Sequence, residues 1–460
     1  MFLKIRNIGK IESADIKLDG ITVIAGENNT GKSTVGKVLS AMFNSFHDLD
    51  EYVEYQRADL IEKELVTLYR KVSLFFEQQG YVEKNENFGR KHIPVHLLKK
   101  SVKTLLKDRN REEIYQLVIE FVEKSGLASF EDVDEQSIKN DELREHINSA
   151  INGIEECLKI SNETIAKLKI TSVFRKNFDE QIINLNNGEN VAEAEIEVKG
   201  KHNKVYFEKG YDDICNAFQR EFIVEKEAFY FDNPRGIERM DRPFGLYGNS
   251  QNKVVEEQKL LKSILMPGIV QTENVRYNEL LKENVEEAEQ SDIQVMLNQN
   301  KAQKVLEMIR KTMGGKFIYE NNNLKYKEEN IQGNINVKNM STGLKALGLL
   351  ERTVASGLIE DKSVIVLDEP EINLHPEWQL FYAEIIVILQ RAFDLTVVIS
   401  THSPYFLQAV SYYLEQYDRE EVCHYYLAEN YDGKAVINNM DNDIDVIFKK
   451  LTMPFLRISE

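Results

Sequence analysis

The segment from Gly26 to Ser33 constrains the fold of this 460-residue chain more than any other part of the sequence. It reads GENNTGKS and matches the pattern GxxxxGK[ST], with an apolar strand-like run before it and a helical pattern after it. Glycines in such a turn let backbone N–H groups point inward around phosphate oxygens, and the start of the following helix adds the positive end of a dipole. The segment therefore predicts a phosphate-binding loop in an α/β fold.

The same loop supplies candidate ligands for a nucleoside triphosphate and for a metal ion. Lys32 is expected to reach the β- and γ-phosphates, and the hydroxyl of Ser33 is expected to bind Mg²⁺. A plain turn before a helix is the alternative, and the strand and helix on either side count against it. The predicted ATP-binding residues of the loop are Gly26, Glu27, Asn28, Asn29, Thr30, Gly31, Lys32, Ser33 and Thr34.

A second apolar strand, predicted over Val364–Leu367, ends in the carboxylates Asp368 and Glu369. A buried parallel strand delivers the residues that follow it to the carboxyl edge of its sheet. We expect Asp368 to hold Mg²⁺, and we expect Glu369 to be catalytic, together with Lys32, by polarising the attacking water. An exposed strand end is the alternative for these two residues taken alone.

Two further motifs are candidates for phosphate contact. His402 follows the apolar strand Thr396–Ile399, so it is expected at the same sheet edge, as a third catalytic residue that senses the γ-phosphate. Ser341 and Gly343 precede an amphipathic helix, and Ser341 suits the N-cap position. A capped helix needs no ligand, but the same geometry can present a hydroxyl and N–H groups to a phosphate.

Strand-rich and helix-rich stretches alternate along the chain. We predict a discontinuous α/β head formed by residues 1–46, which carry the phosphate-binding loop, 188–251, which add strands, and 316–460, which carry the remaining motifs. Helical segments at 47–187 and 252–315 interrupt it, and they lack the uninterrupted heptads of a long coiled coil.

Composition and charge narrow the classes of partner. The net charge of −18 repels a nucleic-acid backbone, so a nucleic-acid contact would need a local patch such as Lys99, Lys100 or Lys107–Arg111. No run approaches the roughly 18 apolar residues that span a bilayer, so no membrane contact is predicted. The three cysteines form no CxxC pair, which argues against a zinc hook and favours the cytoplasm.

The motifs GENNTGKS, MSTG, VIVLDEP, EINLHP and STHSP, in this order, resemble those of the ABC ATPase superfamily. Within it, the chain is most similar to the soluble branch of Rad50, SMC, RecF and OLD-family ATPases, over roughly residues 1–46 and 316–410. The resemblance implies an ABC-type P-loop head in two lobes with inserted helical arms. It also implies that Ser341 and Gly343 contact ATP across a dimer and that Asn373 couples the two sites.

The signature departs from the LSGGQ of transporters, which argues against a transport ATPase. Gln56 is only a positional candidate for the Q-loop glutamine of the family.

The same likeness implies a Mg²⁺-dependent ATPase that works as a nucleotide-driven dimerising switch, as a homodimer or a higher homo-oligomer. Too few residues follow His402 for the Toprim nuclease of classical OLD proteins, so a separately encoded effector is expected, as in anti-phage systems such as PARIS or Septu. A DNA repair ATPase resembling RecF or Rad50 is the alternative, and the acidity counts against it. A scaffold without catalysis is the third hypothesis, and Glu369 counts against that. The cluster Asp441–Asp445 is interpreted as a solvated helix start.

Overall fold

The structure is a computed structural model. It describes residues 1–78, 101–102, 111–124, 141–184, 190–209, 213–232, 237, 293–320, 323–355, 357 and 359–459. These residues divide into two compact units. The head comprises Met1–His47 and the described parts of 169–247 and 271–460, and the helical unit comprises the described part of 48–168.

The described part of the head contains fourteen strands. They are β1 (Phe2–Ile8), β2 (Ile11–Lys17), β3 (Ile21–Gly26), β4 (Val191–Val198), β5 (Lys201–Glu208), β6 (Ile214–Arg220), β7 (Ala228–Phe231), β8 (Gly315–Glu320), β9 (Asn323–Glu328), β10 (Ile335–Asn336), β11 (Val364–Asp368), β12 (Thr396–Thr401), β13 (Cys423–Tyr431) and β14 (Lys434–Asn439). Eleven of them form one sheet in the order β6-β5-β4-β1-β2-β14-β13-β3-β12-β11-β7, and β10-β9-β8 form a second, small sheet.

The large sheet has a parallel half and an antiparallel half. Strands β13, β3, β12, β11 and β7 pair in parallel, whereas β2, β1, β4, β5 and β6 pair antiparallel. The sequence explains the division. All six residues of Ile21–Gly26 are buried, as in a strand covered on both faces, while burial along Phe2–Ile8 alternates. We call the antiparallel half the wing.

The helices of the described chain run from α1, which begins inside the phosphate-binding motif, to α10 near the carboxyl end. They are α1 (Lys32–Phe46), α2 (Leu49–Gln78), α3 (Arg111–Lys124), α4 (Asp141–Lys159), α5 (Asn162–Phe178), α6 (Ile293–Met313), α7 (Thr342–Ala355), α8 (Pro376–Phe393), α9 (Pro404–Gln416) and α10 (Ile444–Ser459). Helices α2, α3 and α4 pack their own core in the helical unit, around Leu65, Phe121 and Ile151. None of the helices in the described ranges is long and apolar enough to cross a membrane.

The predicted α/β fold with helical insertions is confirmed. The head resumes at Lys169, within α5, rather than at residue 188. The reason is that the last turns of α5 pack against the wing, where Phe174 contacts Phe207 of β5 at a ring-centroid distance of 4.7 Å. In the second helical segment, α6 is described from Ile293, and residues 252–292 lie outside the described residues, as do Lys99, Lys100 and 107–110.

Candidate functional site

The loop between β3 and α1 has the strand-loop-helix setting that its sequence predicts. Gly31 caps the helix with a φ of 84°, a left-handed conformation that favours glycine. Lys32, the first helical residue, turns its side chain back so that Nζ donates to the carbonyl oxygen of Glu27 at 2.7 Å. The hydroxyl of Thr30 donates to the same carbonyl at 2.8 Å. The loop is therefore shaped by its own hydrogen bonds around the buried ammonium group.

Lys32 is only 4% exposed, so its ammonium group is largely removed from water. Burial lowers the pKa of Lys32, and the carboxylates of Glu369, Asp368, Glu371 and Glu27 oppose that shift. The nearest of them, Glu369, has its Oε1 at 3.9 Å from Nζ. An ammonium held at this distance is available to an anion that enters the loop.

Asp368 lies at the end of β11, and hydroxyl groups hold both of its carboxylate oxygens. Oδ1 accepts hydrogen bonds from Ser33 Oγ at 3.0 Å and from Ser400 Oγ. Oδ2 accepts a hydrogen bond from the phenol of Tyr230 at 2.6 Å. Burial, and after it the charge of Asp368, raises the pKa of Tyr230 far above its usual range, so the phenol stays protonated as a donor.

The donor set at Ser33 and Asp368 fits a magnesium ion. A carboxylate oxygen and a hydroxyl oxygen lie 3.0 Å apart, and Mg²⁺ prefers such hard oxygen ligands and keeps several of its waters. The structure thus brings together the two residues that the sequence predicts as metal ligands.

Glu369 and His402 meet at the same edge of the sheet. Glu369 has a φ of 50°, and its backbone N–H donates to the carbonyl of Ser400 on β12 at 2.9 Å. His402 follows β12, is 41% exposed, and places Nδ1 3.2 Å from Oε1 of Glu369. The three predicted catalytic residues, Lys32, Glu369 and His402, therefore form one contiguous cluster.

Glu371 belongs to this cluster, although the sequence did not single it out. Its carboxylate is 4% exposed and accepts a hydrogen bond from Thr401 Oγ1 at 2.5 Å and another from the backbone N–H of His402 at 3.4 Å. Burial raises the pKa of Glu371, against these hydrogen bonds. Its second oxygen, Oε2, is buried and has no hydrogen-bond partner among the described residues. Glu371 thus ties the EINLHP segment to the loop that carries His402.

A cavity of about 510 Å³ opens beside the loop. Thr30, Gly31, Lys32, Ser33, Thr34, Asn29 and Glu369 line one part of it, and Gly9, Lys10, Gln181, Ile183 and Asn184 line the rest. The second set was not predicted. It is assembled by pairing between distant segments, since Gly9 N donates to Ile182 O at 2.8 Å and Asn184 N donates to Asn7 O at 2.9 Å.

Ser341 and Gly343 do not line this cavity. Ser341 is exposed at the start of α7, where its Oγ accepts a hydrogen bond from Leu344 N at 3.3 Å, as an N-cap does. Gly343 is buried, and a Cβ at this position would come within 3.1 Å of the Trp378 ring. The hydroxyl of Ser341 therefore faces the surface, while Gly343 packs against its own chain.

Three other sequence candidates are also located. Asn373 adopts a φ of 63° in the segment between β11 and α8. Gln56 belongs to α2 of the helical unit rather than to a strand end of the head. Asp441 accepts hydrogen bonds from Tyr425 N at 2.7 Å and from His424 Nδ1 at 2.8 Å, so it fixes the turn before α10, in agreement with the interpretation as a helix start.

Residues 1–407 match the sequence profile of a family described as AAA ATPase domain. This chain belongs to the AAA ATPase domain family. The match covers the phosphate-binding loop, Asp368, Glu369 and His402. It makes the α/β head of this AAA ATPase domain protein a nucleotide-dependent ATPase module. No curated protein matches the chain.

Solved structures similar to this AAA ATPase domain protein are distant. The SMC head domain from Thermotoga maritima is 11% identical, with 95% of this chain and 97% of that chain covered and a TM-score of 0.34. The Smc head domain with an extended coiled coil, bound to the C-terminal domain of ScpA derived from Pyrococcus furiosus, is 10% identical, with 100% and 99% covered and a TM-score of 0.38. Likenesses this distant carry no functional conclusion.

Proposed function

We propose that this protein is an ABC-type ATPase that hydrolyses ATP with Mg²⁺ and acts as a nucleotide-driven dimerising switch. One observation carries the proposal. Lys32, Asp368, Glu369 and His402 come from the ends of three neighbouring parallel strands or the helix start after them, and they converge on one phosphate-binding loop. Such convergence at the carboxyl edge of a parallel sheet is how nucleotide sites are built in α/β proteins.

Each residue has a distinct role in the proposed reaction. Lys32 neutralises charge that develops on the β- and γ-phosphates, because its buried ammonium lies within the phosphate-binding loop, 3.9 Å from Glu369. Glu369 orients the attacking water and accepts its proton, and His402 holds the Glu369 carboxylate and senses the γ-phosphate. Ser33 and Asp368 would hold Mg²⁺, which supplies charge neutralisation at the phosphates when bound.

Dimerisation is proposed from the surface around Ser341. The exposed start of α7 offers a hydroxyl and helix N–H groups to a phosphate held by a second copy of this chain. Ile372, beside Asn373, is 41% exposed, so this segment also has apolar surface for a partner copy. Gly343 would contact the nucleotide only through its backbone, because a Cβ there would press on the Trp378 ring at 3.1 Å.

We further propose that the switch works in the cytoplasm with a separately encoded effector, in a defence system of the anti-phage kind. This proposal rests on the resemblance of the motif set, from GENNTGKS to STHSP, to the ATPases of such systems. A DNA repair or recombination ATPase is the second candidate, and the net charge of −18 favours the first.

The first test removes the ammonium group of Lys32. Lys32→Ala should abolish Mg²⁺-dependent ATP hydrolysis, because charge stabilisation at the phosphates is lost. Lys37→Ala is the matched control, since it removes the same charge from the same helix α1 and should hydrolyse like the parent. A parent protein that neither binds nor hydrolyses ATP, with candidate partners and DNA present, would contradict the proposal.

The second test addresses the dimer. Ser341→Arg places a bulky cation at the exposed start of α7 and should prevent ATP-dependent closure of two heads, measured by mass photometry in a Glu369→Gln background. Ser341→Ala, which removes the hydroxyl and the cap at a cost of about 1 kcal/mol without adding bulk, should weaken closure less than the Arg variant does. Equal dimer formation by the Arg variant and the parent would remove Ser341 from the interface.

A further inference from the structure

Tyr230 is the one aromatic side chain described at the Asp368 carboxylate. Its phenol donates to Oδ2 at 2.6 Å, while the two serine hydroxyls, of Ser33 and Ser400, both reach Oδ1. Serine hydroxyls therefore hold one carboxylate oxygen of Asp368, and a tyrosine hydroxyl holds the other. Ser33 lies on the side of the phosphate-binding loop, and Tyr230 lies on the side of β7.

The strand pairing explains why Tyr230 reaches this carboxylate. β7 pairs in parallel with β11, and Tyr230 stands opposite Val366. Asp368 is two residues beyond Val366, so its side chain leaves the same face of the sheet. A tyrosine side chain is long enough to span these two residues along the strand, so the Tyr230 hydroxyl lies beside Oδ2 of Asp368.

The Tyr230 ring is wedged between the sheet and α1. A Cβ on Gly36 of α1 would lie 2.5 Å from Val366 Cγ1 and 3.1 Å from Tyr230 Cε2. Only a glycine allows the helix to approach the strand this closely, so the ring has little freedom to turn away. Packing and the hydrogen bond together hold the phenol beside Asp368.

We propose that Tyr230 is a positioning residue for the magnesium site, which fixes the Asp368 carboxylate so that Oδ1 faces Ser33 and the ion. The proposal rests on the proposed function, because it assumes that Ser33 and Asp368 hold Mg²⁺. Partners that orient a metal-binding carboxylate commonly change metal affinity 10–100-fold when they are removed. Tyr230 acts through Asp368 and does not itself touch the nucleotide in this scheme.

The experiment compares Tyr230→Phe with Tyr326→Phe. Both variants remove one hydroxyl from a tyrosine of the head, and the Tyr326 hydroxyl donates to the carbonyl of Met313 at 2.5 Å, outside the candidate site. ATP binding is measured by calorimetry in EDTA and across a Mg²⁺ titration. Tyr230→Phe should need about 10-fold more Mg²⁺ for half-maximal effect, with ATP affinity in EDTA unchanged, and Tyr326→Phe should behave like the parent.

The outcomes separate the two proposals. An unchanged Mg²⁺ requirement in Tyr230→Phe overturns the positioning role, and an equal shift in both variants shows a general loss of packing. A parent protein whose ATP binding does not respond to Mg²⁺ at all contradicts the proposed function instead. The melting temperature of each variant is measured first, and titrations are run where both are fully folded. Ser400→Ala, which removes a donor to Oδ1, provides a second variant with an expected shift in the same direction.

Discussion

The head contains two groups of carboxylates with opposite charge environments. On the wing, Glu195 of β4 is 5% exposed and lies within 2.9 Å of Lys204 Nζ, 2.6 Å of His202 Nδ1 and 3.2 Å of Lys4 Nζ. At the parallel edge, Asp368, Glu369 and Glu371 share one buried ammonium, Lys32, whose Nζ is 3.9 Å from the nearest of them. Hydroxyls, backbone N–H groups and the imidazole of His402 supply the other contacts there.

This difference in charge environment distinguishes Glu195, a carboxylate that stabilises the fold, from the carboxylates that are proposed to bind a ligand. Burial alone would raise the pKa of Glu195, but hydrogen bonds from Lys204, His202 and Lys4 outweigh it and lower the pKa to about 2. At the parallel edge, burial prevails and raises the pKa of Glu371. Glu195, Glu197 and His202 have metal-like spacing, yet Lys4 and Lys204 already bind these carboxylates. The wing carboxylates thus have cationic partners within the protein, whereas those at the parallel edge are the ones proposed to bind a cation.

The largest expected effect is on catalysis, from Glu369→Gln. Loss of the carboxylate that accepts the proton should lower the rate of ATP hydrolysis by about 10²–10⁴-fold while ATP binding remains. The melting temperature should hardly change, because Glu369 makes few contacts that stabilise the fold. Single-turnover hydrolysis and equilibrium binding measure the two quantities separately. A variant that loses binding as well would place Glu369 in the structural group instead.

Glu195→Gln should lower stability and leave catalysis unchanged. Removing a buried, hydrogen-bonded charge should lower the free energy of unfolding by about 2–3 kcal/mol at pH 7, with ATP turnover of the folded protein unchanged. The pKa of Glu195 is lowered in the folded state, so its contribution is complete above about 4.5 and is lost as the pH falls toward about 2. Urea titrations at pH 7 and at low pH check this. The control is Glu197→Gln, whose partly exposed carboxylate should contribute less than about 1 kcal/mol.

Glu371→Gln is expected to change stability less than Glu195→Gln does, and in the opposite direction. Its raised pKa means that the folded state binds a proton more tightly, so the parent loses stability as the pH rises from about 4.5 to that raised value. Glu371→Gln keeps an oxygen acceptor for Thr401 without the buried charge, and it should gain about 1 kcal/mol at pH 8. Turnover should stay near that of the parent, because the amide oxygen can accept both hydrogen bonds that hold the His402 loop. Chemical unfolding at pH 8, with turnover measured alongside, checks both. A loss of stability in the variant would show that the charged form is the one the fold requires.

The sequence could predict what is encoded locally. The turn at Gly31, the apolar strand before Asp368 and the capped helix after Ser341 depend on neighbours in the chain, and the structure has each of them where expected. Alignment of the ends of β3, β12 and β11 followed from the rule that parallel strands share an edge, which placed His402 beside Glu369.

Contacts that depend on strand order could not be predicted in this way. Tyr230 meets Asp368 only because β7 is the neighbour of β11, and nothing in the residues around Tyr230 indicates that pairing. Gln181 and Asn184 reach the cavity through backbone bonds to the end of β1, after more than a hundred intervening residues. The same limit applies to Gln56, since a single glutamine in a helical pattern carries no information about which unit it joins.

The position of β3 within the sheet has a consequence for how the protein is made. β3 carries the phosphate-binding loop and is synthesised long before its two neighbours, β12, which begins at Thr396, and β13, which begins at Cys423. Because β3 pairs with strands this far away in the sequence, the contact order is high and folding is expected to be slow. Until then the run ITVIAG is exposed on the growing chain, where unpaired strand edges aggregate. Chains that stop before β13 should accumulate as insoluble protein rather than as nucleotide-binding fragments.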